Sequence, residues 1–170
     1  LIAIAALAVL LLRADGCGQA GDGARPLPEP GANGRIAANV TRVVDGDTIE
    51  AELAGGGKED VRLIGIDTPE TVDPDQPVQC FGPEASAFTH RLLDGARVEL
   101  AYGAERRDRY GRLLAYVYLP GGRLFNAILA RRGLARPLTI APNDARAPLF
   151  ERLAAGAASA GRGLWGACPS

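Results

Sequence analysis

The chain has a single histidine, His90, a single lysine, Lys58, a single tryptophan, Trp165, and no methionine. One imidazole excludes paired-histidine nucleases, HExxH proteases and histidine-rich zinc sites, because each needs at least two histidine side chains at fixed spacing. The three cysteines, Cys17, Cys80 and Cys168, have no close partner of the kind a zinc site built on Cys pairs requires. Ser86, in Glu84-Ala85-Ser86-Ala87-Phe88, lacks the glycines of a nucleophile elbow, which argues against a serine hydrolase. No internal repeat is visible.

What the chain has is an uneven spread of charge. From Val40 to Glu99 there are 5 basic and 13 acidic residues, and from Leu100 to Ser170 there are 11 basic and 4 acidic. A cation site beside an anion site would produce this asymmetry, and so would a mixed solvated surface.

Residues Leu1 to Leu12 form an unbroken apolar run. At a need of ~20 residues it is short for a bilayer span and suits the core of a signal peptide. Residues 1–16 are therefore expected to be a signal peptide or an N-terminal membrane anchor that meets the membrane or the export machinery. Residues 17–37, rich in Gly and Pro, read as a linker. The folded domain is expected over residues 38–170. Export makes disulfides plausible, and Cys80 and Cys168 both fall inside the domain, so they are paired. Cys17 follows the apolar run and is a candidate for lipidation. The expected location is secreted or envelope-associated, with a lipid- or helix-anchored form as the alternative.

Within the domain, Asn39 to Asp45 and Thr48 to Leu53 read as strands joined by an Asp-Gly turn. Glu59 to Ile66 reads as a third strand, Ala96 to Tyr102 as a fourth and Leu113 to Leu119 as a fifth. A helix is expected between Pro83 and Gly95, with Phe88 and Leu92 on the core. A second runs from Phe125 to Arg132 and ends at Gly133. A third covers Ala145 to Ala160, with Leu149, Leu153 and Ala157 at spacing four. Five strands with helices inserted late suit an α+β fold built on a small oligonucleotide/oligosaccharide-binding (OB) barrel.

Asp45, Asp47, Asp67 and Glu70 cluster at the ends of strand-like runs. Hard cations such as calcium take several carboxylates with carbonyl and water oxygens, and Thr68 can add a carbonyl. Arg62 and Arg112 can each present a fork to phosphate oxygens. Metal, carboxylate and paired arginines suit attack by water on a phosphodiester. Plainer readings stand beside this one. Asp45 and Asp47 can simply shape a turn, Asp67-Thr68-Pro69-Glu70 can be a helix-capping box, and both arginines can be solvated strand residues.

Four motifs, Val44-Asp45-Gly46-Asp47-Thr48, Val61-Arg62-Leu63-Ile64-Gly65-Ile66-Asp67-Thr68-Pro69-Glu70-Thr71, Phe81-Gly82-Pro83-Glu84-Ala85-Ser86-Ala87-Phe88 and Asp108-Arg109-Tyr110-Gly111-Arg112 with the strand after it, resemble the staphylococcal thermonuclease family in order and spacing, from about Val40 to Gly163. The resemblance implies a five-stranded OB barrel with three helices and calcium-dependent cleavage of DNA and RNA, leaving a 5′-hydroxyl and a 3′-phosphate. It implies that Asp47, Asp67 and the Thr68 carbonyl ligate Ca2+, with Asp45 acting through water. It implies that Glu70 is the general base or orients the attacking water. Arg62 and Arg112 would grip the phosphate, and Tyr110 and Arg109 would contact the nucleotide. A monomer is expected. The segment Ala135 to Asn143 has no aromatic residue where the best-known member has two tyrosines on the nucleotide. A nucleic-acid-binding OB module without catalysis is the alternative.

Overall fold

The computed structural model of the protein describes residues 26–169 except 73 and 76. The apolar run and Cys17, with the leader and lipidation readings that rest on them, lie outside the described residues.

β1 (Ile36–Val43), β2 (Thr48–Leu53) and β3 (Lys58–Leu63) form an antiparallel meander. In β1, alternation buries Ile36, Ala38 and Val40, and a register shift between Val40 and Arg42 turns Val43 inward while Arg42 stays outside. β5 (Arg97–Arg107) pairs with β1 on one side and β6 (Leu113–Leu119) on the other. β6 then pairs in parallel with β3, Val61 opposite Leu113 and Leu63 opposite Ala115. That pairing closes a five-stranded mixed barrel, the expected OB fold. It also explains why every residue of β6 is buried: the strand faces the barrel interior on one side and helix α2 (Phe125–Arg132) on the other.

The strand expected over 59–66 is two elements. Ile64 breaks it, and β4 (Gly65–Asp67) leaves the barrel to form a short ribbon with β8 (Arg136–Leu138). Buried Asn126 of α2 holds the break, its Nδ2 donating to the Ile64 carbonyl at 2.9 Å while its Oδ1 accepts from the Val117 amide at 2.9 Å. β7 (Arg123–Leu124) extends the edge of β6. Among the described residues there are three main helices, with a fourth single turn, α4 (Leu164–Ala167).

α1 (Gly82–Leu93) begins with Pro83 in its first turn. Its buried stripe is Ala85, Thr89 and Leu93 with Phe88, and Leu92 is exposed, contrary to expectation. The stripe passes through a threonine, which apolar periodicity overlooks. Thr89 is buried because its hydroxyl donates to the Gly46 carbonyl at 2.7 Å. In α3 (Ala147–Ser159) the inward residues are Phe150, Ala154 and Ala157; Leu149 and Leu153 are only half-buried.

Phe150 is admitted by Gly65. A Cβ at position 65 would lie 2.2 Å from Phe150 Cε2, and the backbone there has φ +82°. Gly65→Ala is therefore expected to lose about 2–3 kcal/mol of stability, from overpacking together with left-handed strain. Urea unfolding checks this, and an unchanged midpoint and slope would contradict it.

Candidate active site

The hairpin between β1 and β2 is an Asp-Gly-Asp turn. The Asp45 Oδ1 accepts from the Asp47 amide at 2.9 Å, and the Val44 and Asp45 amides donate to the Thr48 carbonyl. The turn reading of Asp45 is thus realised, and Gly46 serves it by close approach: a Cβ there would stand 2.6 Å from Thr68 Oγ1. The hairpin is pressed against the start of the 68–80 loop, which carries Asp47 to the end of β4.

Asp47 is buried to 1% exposure. Its Oδ2 accepts from the Thr68 amide at 2.7 Å and from the Thr68 hydroxyl at 2.9 Å. Its Oδ1 takes the Arg62 guanidinium, whose Nη2 also reaches Asp67 Oδ1 at 2.6 Å. Arg62 thus bridges Asp47 and Asp67. Burial pushes the Asp47 carboxyl up to about 7, outweighing Arg62 and the Thr68 hydrogen bonds. Arg62 is itself held above its ordinary value; burial opposes its charge, but Asp47 and Asp67 overcome that.

Among the described residues, no three carboxylate, imidazole or thiol groups gather closely enough to hold a metal by themselves. The donor set still fits a hard divalent cation: two carboxylates converge on one positive charge, and the buried one is only partly compensated by it.

Arg62, Glu70, Arg109, Tyr110 and Arg112 line one cleft of about 750 Å³. The barrel-closing pair produces this meeting. Val61 faces Leu113 across β3 and β6, so Arg62 and Arg112, each next in the chain to one of these, come to the same end of the barrel. A second, shallower cleft holds Asp45 and shares Glu70 and Arg112 with the first. The expected catalytic, metal and nucleotide-contact residues therefore lie around these two clefts or on the Asp47–Arg62–Asp67 cluster with its partner Thr68, whereas Cys80 and Cys168 line neither cleft and Cys17 is outside the described residues.

Glu70 stands in irregular backbone, and no helix starts at Thr68, so the capping-box alternative is not realised. Its Oε1 instead accepts the Thr71 and Val72 amides at 2.8 and 2.7 Å. Its backbone is held by Gln79, which the sequence reading passed over. Gln79 Oε1 accepts the Glu70 amide at 3.1 Å, and the Gln79 amide donates to the Glu70 carbonyl at 2.9 Å. The next residue, Cys80, is within disulfide distance of Cys168, with Sγ atoms 2.13 Å apart. A thiol reagent is expected to find neither cysteine reactive until a reductant is added; two reactive thiols in the untreated folded protein would contradict the pairing.

Arg112 is anchored by Asp108, a second residue the sequence reading missed. Its Nε donates to Asp108 Oδ2 at 2.7 Å, and its amide donates to Oδ1 at 3.0 Å. Burial alone would raise the Asp108 carboxyl, but the hydrogen bonds from Arg112 and from the Tyr110 amide hold it below its ordinary value. Tyr110 is 67% exposed, with the Arg109 and Arg112 guanidinium carbons 4.7 and 5.4 Å from its ring centroid. The same cleft is also lined by Leu138, Ile140 and Asn143. Leu138 and Ile140 are exposed, so an aliphatic surface stands in the segment that has no aromatic.

Comparison with known proteins identifies relatives of the chain. The chain is 52% identical over 113 residues to a thermonuclease of Staphylococcus intermedius, covering 66% of each chain. It is 52% identical over 104 residues to the thermonuclease of Staphylococcus hyicus, covering 61% of this chain and 60% of that one. It is 42% identical over 107 residues to endonuclease YncB of Bacillus subtilis, covering 61% of this chain and 50% of that one. The chain thus spans between half and two thirds of the length of these relatives. Residues 60–167 match the family model described as staphylococcal nuclease homologue, and the chain belongs to that family.

Proposed function

We propose that the protein is an exported, calcium-dependent nuclease that hydrolyses phosphodiester bonds of DNA and RNA with little sequence preference. The observation that carries the reading is the cleft in which Glu70, Arg62 and Arg112 line one space beside the Asp47–Asp67 pair.

Asp47, Asp67 and the Thr68 carbonyl would hold the calcium ion, with Asp45 acting through water. Bound there, the ion supplies Lewis-acid polarisation of a phosphoryl oxygen. Glu70 takes a proton from the attacking water as its oxygen bonds to phosphorus. The bond from phosphorus to the 5′-oxygen breaks, and that oxygen takes up a proton from solvent, leaving a 5′-hydroxyl and a 3′-phosphate. Arg112 and Arg62 donate hydrogen bonds to the phosphoryl oxygens as charge builds on them. Because Arg62 rests on Asp47 and Asp67, its phosphate role would require the guanidinium to leave those carboxylates. Tyr110 offers an exposed ring for a base, and Leu138 and Ile140 offer apolar contact without a stacking face. Such contacts read no base edge, consistent with low sequence preference.

The test is incubation of the purified protein with DNA and with RNA in calcium, followed by a chelator. Fragments with 3′-phosphate ends that stop forming on chelation are expected. Absence of cleavage in calcium, or cleavage that chelation does not affect, would overturn the reading. Export is supported by the apolar run at Leu1–Leu12 and by the Cys80–Cys168 pair; mass analysis of the protein from culture fluid and envelope fractions tests it.

A further inference from the structure

Three exposed arginines, Arg91, Arg132 and Arg136, have no acidic partner among the described residues. Arg91 lies in the last turn of α1 and Arg132 ends α2, yet both converge on one ring: their guanidinium carbons lie 5.0 and 4.9 Å from the Phe88 centroid. The C-terminal end of α2 is locked to α4, with the Leu164 amide donating to the Gly133 carbonyl at 2.8 Å. On that same corner the Arg136 guanidinium lies over the α4 residue Trp165, 4.7 Å from the ring centroid. Arg136 is also the register partner of Asp67 across the β4–β8 ribbon. Directly opposed residues point to the same face of a ribbon, so Arg136 stands on the Asp67 side. The three charges therefore form a track from the catalytic carboxylates across the ends of α2 and α1.

Helix C-termini favour cations through the macrodipole, which accounts for Arg91 and Arg132 singly. It does not account for Arg136, which stands on the β4–β8 ribbon and not at a helix end. Arginines held over aromatic rings are preorganised donors for phosphate oxygens.

We infer that this track binds the sugar-phosphate backbone of a single-stranded nucleic acid as it leaves the cleft, so that long strands are held by more than the scissile nucleotide. The inference rests on the nuclease reading above, and it favours a strand over an anionic membrane because the track is continuous with Asp67.

The test compares the wild type, the patch variant Arg91→Gln/Arg132→Gln and the control Arg97→Gln/Arg123→Gln. The control removes the same charge from exposed arginines of β5 and β7, outside the track. Binding of a labelled 20-nucleotide oligothymidylate is titrated in chelator at several salt concentrations. Cleavage of that strand and of a thymidine dinucleotide is measured in calcium.

The patch variant is expected to lose about 1.4 from the log–log salt slope, at roughly 0.7 per single-strand phosphate contact, and about tenfold in affinity. Its ratio of long-strand to dinucleotide kcat/KM falls in parallel, while the control behaves as wild type. Equal losses in the control and the patch variant would overturn the inference, as would an unchanged slope in the patch variant. So would a loss of binding to phosphatidylglycerol vesicles with strand binding intact. If the wild type binds the strand through the track but cleaves neither substrate in calcium, the nuclease reading fails and the track stands. If it cleaves both and the patch variant matches it, the track alone fails.

Discussion

Glu70→Gln is expected to lower turnover by about 10²–10⁴-fold, the range contributed by one positioned general base, and to leave calcium affinity nearly unchanged. The structure makes this substitution selective. Glu70 Oε1 accepts the Thr71 and Val72 amides. A glutamine Oε1 accepts the same two bonds, so the turn at 70–72 keeps its shape. The Gln79 bonds hold the Glu70 backbone and do not depend on the side chain at 70. What the amide cannot do is take a proton from water. Calcium affinity is spared because the proposed ligands lie on the Asp47–Arg62–Asp67 cluster, away from the bonds that Oε1 makes. Single-turnover rates and calorimetric calcium titration read the two properties separately. Wild-type turnover in the variant would remove Glu70 from the chemistry, and a calcium affinity that falls with turnover would move Glu70 among the ligands.

Much of the fold follows from local signals. The limits of α2 were readable because Gly133 ends it in the left-handed conformation, and β2 and β6 were readable because turns bound both. The register of α3 was not, because it depends on a glycine more than eighty residues away whose missing Cβ admits Phe150. The parallel pairing of β3 with β6 is likewise non-local, and it brings Arg62 and Arg112 to one cleft.

For the site, Asp47, Asp67, Glu70, Arg62 and Arg112 lie in three of the four motifs that carry the family resemblance, and it was the resemblance that singled them out as candidates. Their supporting residues carry no such mark. Gln79 lies in a polar loop and Thr89 is one threonine in a helix, and each acts through a partner fixed only by the tertiary fold. Asp108 was in plain view four residues before Arg112, a pair at short spacing, and could have been found from that alone. The turn and the metal readings of the Asp-Gly-Asp stretch do not compete. The same bend that satisfies Asp45 presses Asp47 against Thr68.

Arg112→Ala is expected to lower kcat by about 10²–10³-fold, or about 2–4 kcal/mol, the cost of removing one donor aimed at developing charge. Two effects combine. The guanidinium that neutralises the phosphoryl oxygens is lost, and Asp108 loses the Nε bond that helps hold its carboxyl below its ordinary value. A carboxylate then lines the cleft without its counter-charge, against a polyanionic substrate. Asp108→Asn separates these effects. It keeps the guanidinium and removes the negative charge, and an amide oxygen can still accept the Tyr110 and Arg112 backbone N–H groups. Its loss in kcat should be about tenfold at most, because a less firmly placed arginine still carries its charge. Arg112→Lys should recover little of what Arg112→Ala loses, since an ammonium cannot hold Asp108 with one nitrogen and present a planar pair to phosphate with the others. An Arg112→Ala enzyme with unchanged kcat would sink the assigned role. Full rescue by lysine would show that charge alone, without the fork held by Asp108, is what the reaction uses.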